Sequence, residues 1–343
     1  MRQSLQSVLA RGPGREVLPW VILMLLLFSA GSGAAPQGFN PPEVQSLKGR
    51  VYGVNLASPH QADRSPAQAS SNEPHNVPKA FVDMNPGELA KAVPELKHLE
   101  AAENQEMLPQ ILNRTGDAVA AFFGNFPNTT CTEQVTSMAD SGFTSSSFHS
   151  YAKYNYLALA EAGGANDRLR EFRGDDKGAP ETPDPKHSVV TIGFISMIEH
   201  FHPDLQPDSR FLYLGREELQ DTNTYVVAFA QLPSEARRVT RIQYSGLDET
   251  VFLQGIAWID PATFAIRRLR TDLLLPPGHV SNLQESTQIL YSEVGFQNGG
   301  LKLWLPREVD VTGQLGRYRY HNQHRYSNYR LFKVAVEEKR DQP

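Results

Sequence analysis

The chain has 343 residues and a formal net charge of −5, from 33 lysines and arginines against 38 aspartates and glutamates. That balance gives no basic footprint, which excludes nucleic acid as the expected partner. Cys131 is the only cysteine, so an internal disulfide is excluded. The fold must therefore depend on a hydrophobic core, which a chain of this length can supply.

The N-terminus has the three parts of a secretory signal peptide. Three arginines precede the apolar run Trp20–Phe28, and Ser32-Gly33-Ala34 provides small residues for cleavage after Ala34. The apolar run has roughly ten residues, whereas a membrane-spanning helix needs ~20. We therefore predict residues 1–34 to be a cleaved signal peptide. The mature protein is expected in the periplasm or the outer envelope.

Residues 35–80 are rich in Pro, Ser, Gln and Asn and are poor in apolar side chains. Such a composition buries too little surface to offset the entropy of ordering, so it predicts a disordered linker. A single α+β domain is predicted over residues 81–343. It begins with helical segments, of which the strongest has an apolar stripe at i, i+3, i+4 and i+7 spacing. The stripe consists of Leu108, Ile111, Leu112, Thr115, Val119, Phe122 and Phe123.

Two segments in the middle of the chain are rich in aromatic or apolar residues. Ser147–Glu161 is rich in aromatic residues, which favours a strand. His187–Phe201 is apolar, with Phe194, Ile198 and Phe201 on one helical face. We interpret this second segment as a buried helix, although periodicity alone does not assign an apolar run of this length.

From about residue 209 to 336 the sequence predicts a meander of seven or eight antiparallel strands joined by turns. Asp260-Pro261-Ala262-Thr263 is typical of a type I turn, and Gln297-Asn298-Gly299-Gly300 indicates a hairpin. The strand Thr224–Gln231 is apolar on both faces. A sheet face open to water would alternate with polar residues. Part of the sheet is therefore covered on both sides, or one face lines an apolar cavity.

Two motifs resemble those of the LolA-like proteins that sort outer-membrane lipoproteins. They are Gly255-Ile256-Ala257-Trp258-Ile259-Asp260-Pro261-Ala262-Thr263 and Leu305-Pro306-Arg307-Glu308-Val309. A third stretch resembles a signature of uncharacterised bacterial exported proteins, namely His324-Arg325-Tyr326-Ser327-Asn328-Tyr329-Arg330. The resemblance implies an α+β fold with a curved antiparallel β-sheet, an unclosed half-barrel meander. One or two helices would pack on its concave face, with the helix over residues 108–123 as the candidate.

The function this predicts is that of an exported envelope protein that binds an apolar ligand or an acylated protein in the half-barrel groove. A dozen methylenes contribute roughly 10 kcal/mol when buried, so such a groove needs no polar signature. The alternative is a non-catalytic scaffold or sensor whose core is filled by helices. The predicted groove-lining residues are Phe122, Val227, Phe229, Phe252, Ile256, Trp258, Ile289 and Tyr291.

The strand from Tyr318 onward carries a patch of basic residues. Arg317, Arg319, Arg325 and Arg330 are predicted to form a surface for an anionic partner. The simpler interpretation is the charged outer face of an edge strand, which discourages edge pairing. Arg267, Arg268 and Arg270 extend the patch only if their strand is a neighbour. The expected partners are thus a lipid or an acylated protein, or an envelope protein, with peripheral membrane contact.

The motifs of common enzyme classes are missing from the sequence. Neither a G-x-S-x-G nucleophile motif nor a glycine-rich phosphate loop occurs, and no H-E-x-x-H or Cys–His spacing indicates zinc. No cofactor, metal site or catalytic residue is predicted. A hydrolase is the third hypothesis, with Cys131 beside a distant histidine as its best candidate nucleophile. Burial as a small apolar side chain is the simpler interpretation of Cys131.

Overall fold

In the computed structural model the described residues are 79–140, 147–161, 168–174, 191–244, 247–274, 283–296, 300–315 and 317–331. The predicted signal peptide, almost all of the linker, and the tip of the predicted 297–300 hairpin lie outside them. So does the end of the predicted meander beyond residue 331.

The fold is an α+β half-barrel built on one antiparallel sheet. Its strands are β1 (Glu100–Ala101), β2 (Thr129–Asp140), β3 (Ser147–Glu161), β4 (Arg168–Gly174), β5 (Ser209–Leu219), β6 (Thr222–Gln231), β7 (Thr240–Tyr244), β8 (Leu247–Ile259), β9 (Ile266–Leu274), β10 (Leu283–Gly295), β11 (Lys302–Leu315) and β12 (Tyr318–Leu331). Their order is β1-β5-β6-β8-β9-β10-β11-β12-β2-β3-β4, and β7 pairs with β8. Among the described strands β1 and β4 are the two edges, so the curved sheet is not closed.

The predicted meander is confirmed over the described strands β5 to β12. Strands β5, β6 and β8 to β12 are neighbours in chain order, and β7 pairs with β8 beside that path. Strands β2 and β4 were not predicted from the sequence, whereas the strand expected at Ser147–Glu161 is β3. These three strands precede the meander in sequence but extend the sheet beyond its last strand. The link is the pairing of β12 with β2, in which Asn322 lies opposite Ser137.

Two α-helices and four 3-10 helices accompany the sheet within the described ranges. They are α1 (Pro86–Ala92), α2 (Leu108–Gly124), and the 3-10 helices Phe81–Asp83, Pro94–Leu96, Ser196–Phe201 and Gln206–Asp208. Helix α1 begins with a capping box between Asn85 and Glu88. Helix α2 confirms the predicted stripe and ends at Gly124, three residues before Pro127. The helix proposed for His187–Phe201 is instead the short 3-10 helix over its last six residues.

Helix α2 and the 3-10 helix Ser196–Phe201 pack on one face of the sheet, which we call the inner face. The opposite, outer face of β5, β6 and β8 is covered by residues 79–101, which we call the N-terminal segment. Strand β6 lies between these two layers. Tyr225, Val227 and Phe229 belong to the inner core, while Val226 and Ala228 belong to the outer core. Cover on both sides therefore explains why this strand is apolar on both faces.

The outer core is fastened by polar contacts as well as by packing. Gln254 accepts a hydrogen bond of 2.7 Å from the Phe81 amide, and the Trp258 indole donates one of 2.7 Å to Glu217. Arg270 pairs with Glu95 of the N-terminal segment at 2.7 Å. Within the described part of the chain, no helix combines the length and apolar character needed to cross a membrane.

Candidate functional site

The predicted groove-lining residues do not all share one face of the sheet. Val227, Phe229, Ile289 and Tyr291 lie in the inner core, and Phe122 of α2 packs against it. Ile256 and Trp258 lie in the outer core under the N-terminal segment. Strand alternation places Phe252 on the outer face as well, because Gln254 on that face contacts Phe81. The groove prediction is thus corrected for these three residues.

Pairing register is the physical reason for this split. Val227 lies opposite Ala257 in the β6–β8 pair, and Ala228 lies opposite Ile256. Residues that are directly opposite in an antiparallel pair point to the same face. Ile256 therefore shares its face with Ala228 and not with Val227.

The inner face is filled by the chain's own side chains. Val227, Phe229 and Ile289 are 0% exposed. They are covered by Ile111, Val119 and Phe123 of α2 and by Phe194, Ile198 and Phe201. Phe201 and Phe229 make an edge contact with ring centroids 5.7 Å apart, and His200 stacks on Phe229 at 5.0 Å. Burial lowers the pKa of His200 to about 4, so this ring enters the core neutral.

The segment 191–208 is attached to β3 and β4 by a half-buried carboxylate. Glu171 accepts hydrogen bonds from the Ile195 amide at 3.1 Å and the Ser196 amide at 2.9 Å. The hydroxyls of Ser196 and Tyr156 also donate to Glu171. Burial raises the pKa of Glu171, and these four donors partly offset that penalty. The segment is therefore held by hydrogen bonds that are costly to leave unmade.

A second cluster, the buried polar network, consists of Glu133, Arg173, Thr191, His324 and Tyr326. Arg173 donates to both oxygens of Glu133, at 2.5 and 2.6 Å, and to the Thr191 carbonyl at 2.9 Å. His324 Nδ1 and the Tyr326 hydroxyl lie 2.8 and 2.7 Å from Glu133 Oε1. Burial opposes ionisation of Glu133, but Arg173 and His324 lower its pKa to about 2. The network thus keeps one buried carboxylate charged.

The buried polar network contains a hydroxyl–imidazole–carboxylate chain. Thr191 Oγ1 lies 2.8 Å from His324 Nε2, while His324 Nδ1 faces Glu133. A carboxylate only accepts, so Nδ1 carries the proton and the bare Nε2 accepts from Thr191. This order is that of a nucleophile relay. Thr191 is only 3% exposed and His324 1%, however, so the arrangement serves as an internal attachment in this conformation.

Helix α2 is held in a different way. The side-chain amide of Gln206 donates to the Leu112 carbonyl at 2.9 Å, and the other contacts of α2 with the described residues are side-chain packing in the inner core and stacking of Arg114 on Phe264. The Thr115 hydroxyl on the buried stripe has no hydrogen-bond partner among the described residues. Helix α2 therefore covers the inner face through apolar contact with little directional bonding.

The arginines predicted as an anionic-partner patch lie exposed on or beside β12. Arg325 is opposite Glu308 of β11, and Arg319 is opposite Asp140 of β2. His321 pairs with Asp310 at 2.8 Å. The surface is thus mixed in charge. Strands β10 and β11 separate it from the arginines of β9, of which Arg270 fastens the N-terminal segment.

Cys131 is buried on the inner side of β2, 4% exposed, within reach of the Tyr329 hydroxyl. Burial raises its pKa, so the thiolate needed for nucleophilic chemistry is disfavoured. No group of three or more His, Cys, Asp or Glu residues suited to a metal ion occurs in the described part of the chain.

The buried polar network was not predicted from the sequence. His324 and Tyr326 belong to the motif at residues 324–330, but their partners come from β2, β4 and the segment 191–208. The available signal was the inward alternation of Cys131, Glu133 and Val135 in β2. Had β2 been recognised, a glutamate at an inward position would have indicated a buried cationic partner.

Comparison of the sequence with protein-family models and with curated proteins finds no match. Among solved structures, the chain is similar to a "putative outer membrane lipoprotein-sorting protein domain" from Vibrio parahaemolyticus. The identity is 12%, the coverage is 66% of this chain and 94% of that chain, and the TM-score is 0.36. It is also similar to a DUF1329 family protein from Desulfovibrio piger ATCC 29098, at 11% identity, 65% and 92% coverage, and a TM-score of 0.34. The predicted resemblance is therefore found, as a likeness of fold that adds nothing to the case for a function.

Proposed function

We propose that this protein is an exported envelope protein that binds an apolar ligand, or the acyl chain of an acylated protein, on the inner face of its half-barrel. The ligand takes the place that helix α2 occupies in this structure. The observation that supports this proposal is the contrast in attachment at the inner face. Apolar packing holds α2, whereas buried charges and hydrogen bonds hold the segment 191–208.

The free energy lost when α2 moves aside is comparable with the free energy gained when an acyl chain is buried. Moving α2 aside exposes Ile111, Val119 and Phe123, at about 1.5–3 kcal/mol for each buried side chain. Insertion of a twelve-carbon chain returns roughly 10 kcal/mol at ~0.8 kcal/mol per methylene. A bound acyl chain thus offsets the loss of the helix contacts, and the exchange is feasible without a change in the sheet.

Export supports the same proposal. The predicted signal peptide of residues 1–34, with predicted cleavage after Ala34, would direct the chain to the periplasm or outer envelope, where acylated proteins and free lipids are found. The predicted linker of residues 35–80 precedes the half-barrel in the sequence. Peripheral contact with a membrane is compatible with a protein that takes up a lipid chain.

The test is titration of the full chain with a polarity-sensitive fluorescent acyl probe, using two matched valine variants. Val119→Ala loosens α2 over the inner face, whereas Val93→Ala removes the same atoms from the outer core. Each variant loses roughly 1–3 kcal/mol of unfolding free energy. We expect probe affinity to rise severalfold, up to about tenfold, in Val119→Ala alone, because 1.4 kcal/mol corresponds to a factor of ten.

Equal affinities in the two variants would contradict displacement of α2, and failure of the folded protein to bind the probe at all would remove the proposed function. The second candidate function would then apply. It is the non-catalytic scaffold or sensor with a helix-filled core, and the observation that favours it is the complete burial of Val227, Phe229 and Ile289.

A further inference from the structure

We infer that an arginine–aromatic cluster at one margin of the inner face receives the anionic head group of a bound amphiphile. The cluster consists of Arg114, Arg216, Tyr213, Tyr225 and Phe264. The inference rests on the proposed function, because the apolar chain of the same molecule would lie on the inner face.

The cluster is built by stacking of guanidinium groups on aromatic rings. The Arg114 guanidinium carbon lies 4.0 Å from the Phe264 ring centroid, and that of Arg216 lies 4.4 Å from the Tyr225 ring centroid. The Phe264 and Tyr225 rings stack at 6.0 Å. A guanidinium held by its face against a ring keeps its in-plane N–H donors for another partner. Those donors match the bidentate geometry of a phosphate or carboxylate.

Neither arginine has a carboxylate partner within the part of the chain that the structure describes. Glu100 is opposite Arg216 in the β1–β5 pair, and Asp117 follows Arg114 by one helical turn, yet neither forms an ion pair with it. Arg216 is only within reach of the Tyr213 hydroxyl. Within the described residues, two guanidinium groups thus stack on neighbouring aromatic rings without a carboxylate partner, which favours an external anion.

Backbone strain supports a dedicated role for Phe264. It has a φ of 58°, which is unusual for a bulky residue. Hydrogen bonds to Asp260 hold the turn that contains this residue. Asp260 Oδ1 accepts from the Ala262 and Thr263 amides at 2.9 Å each, and the Phe264 amide donates to the Asp260 carbonyl at 2.9 Å. The strain brings the Phe264 ring beneath Arg114, where the sheet and α2 meet.

The cluster is continuous with the proposed chain-binding surface. Tyr213, Tyr225 and Phe264 are members of the inner core, together with Val119 and Phe123 of α2. Arg114 lies in the N-terminal half of α2, so a bound anion would hold that half at the sheet while the chain displaces the half that carries Val119 and Phe123. An amphiphile fits this arrangement, because its charged end would remain at the margin while its chain enters the core.

Three other arginines among the described residues do not provide the same chemistry. Arg210 is paired with Asp83 at 2.6 Å on the outer face, and Arg270 is paired with Glu95 and Asp272. Arg325 of the β12 surface lies opposite Glu308. Each of these side chains has an acidic neighbour, which lowers its attraction for an external anion.

The experiment measures displacement of a neutral fluorescent acyl probe from the full chain by dodecyl phosphate, by dodecanol and by inorganic phosphate. We expect dodecyl phosphate to bind at least about tenfold more tightly than dodecanol, since a charge-assisted contact contributes about that factor. Arg114→Gln and Arg216→Gln each reduce that preference, and the double variant abolishes it without changing dodecanol affinity. Arg210→Gln, an arginine of the same strand as Arg216, is the matched control and leaves the preference unchanged.

Equal binding of dodecyl phosphate and dodecanol overturns the head-group inference while the proposed function stands. Absence of binding by either compound overturns both. The head groups of a membrane carry the same phosphate chemistry as a soluble amphiphile. Flotation with vesicles of anionic phospholipid distinguishes these two sources. Vesicle capture that needs Arg114 and Arg216, without a preference for soluble dodecyl phosphate, identifies a membrane-docking surface and overturns the inference.

Discussion

Helix α2 and the segment 191–208 cover the same face of the sheet, but different forces attach them. The segment is bound through Glu171 and through the buried polar network around Glu133, whose ionised and hydrogen-bonded groups lie away from water. Helix α2 contributes a stripe of apolar side chains, stacks Arg114 on Phe264, and among the described residues receives one hydrogen bond, from Gln206.

The difference separates a fixed element from a replaceable one. Hydrogen bonds and buried ion pairs are directional, so a sliding or departing segment leaves them unsatisfied at a high cost. Apolar contact is non-directional, and another apolar group can restore it. An apolar ligand can therefore substitute for α2 but not for the segment 191–208.

The largest expected effect comes from removing the cation of the buried polar network. Arg173→Met leaves the Glu133 carboxylate buried without its guanidinium and should cost about 3–5 kcal/mol of unfolding free energy. Denaturant unfolding measures the loss, and hydrogen exchange should show faster exchange at the Ile195 and Ser196 amides than at α2. Arg325→Met, at an exposed position of β12, is the control and should change stability by less than about 0.5 kcal/mol. A loss below about 1 kcal/mol for Arg173→Met would mean that packing alone holds the segment.

The next effect concerns pH, through the buried His200 that stacks on Phe229. Its pKa is lowered to about 4, chiefly by burial, from an ordinary value of 6.5. Below pH 6.5 the unfolded state takes up the proton first, so stability falls as pH decreases from 6.5 towards 4. The loss is about 3 kcal/mol at one site. His200→Gln should flatten this part of the stability curve, measured by urea unfolding at a series of pH values.

Glu133 adds a separate decrease at lower pH. Its pKa is held at about 2, so its stabilising contribution is complete above its ordinary value of 4.5 and is lost as pH falls from there through 2.

His202→Gln, at a half-exposed position of the segment 191–208, is the matched control for the His200 effect. If it flattened the curve as much as His200→Gln, the buried ring would not be the source.

Local pattern was enough to predict the meander and helix α2. Strands β5 to β12 are separated by recognisable turns, and the stripe of α2 repeats at helical spacing within one segment. Burial on both faces of β6 was also visible, because Val226 and Val227 are adjacent apolar residues. The elements that cover the two faces were not visible in the sequence, since the N-terminal segment reaches β6 through contacts between residues distant in the chain.

Pairing between distant strands determined the rest. A carboxylate such as Glu133 looks like a surface charge until β4 and β12 bring Arg173 and His324 to it. Likewise, Trp258 could not be assigned to the outer face without the β6–β8 register, in which a shift of one residue exchanges the two faces. The buried polar network and the two cores are therefore properties of the assembled sheet.

The smallest expected effect comes from a substitution that stabilises the packing of α2 instead of weakening it. The Thr115 hydroxyl is buried on the α2 stripe and lacks a hydrogen-bond partner among the described residues. Thr115→Val keeps the shape and removes the unsatisfied group, so stability should rise by about 1 kcal/mol.

The matched control is Thr224→Val in β6, where the hydroxyl donates to the Glu217 carbonyl at 2.8 Å. Losing that bond should lower stability by about 1 kcal/mol, opposite in sign to the change at Thr115. If α2 competes with the ligand, Thr115→Val must also weaken acyl-probe binding severalfold, whereas Thr224→Val leaves it unchanged. If α2 and the ligand compete for the same surface, stabilising the packed helix must lower the affinity for the ligand. A stabilised Thr115→Val protein with unaltered probe affinity would therefore show that ligand and helix bind at different places.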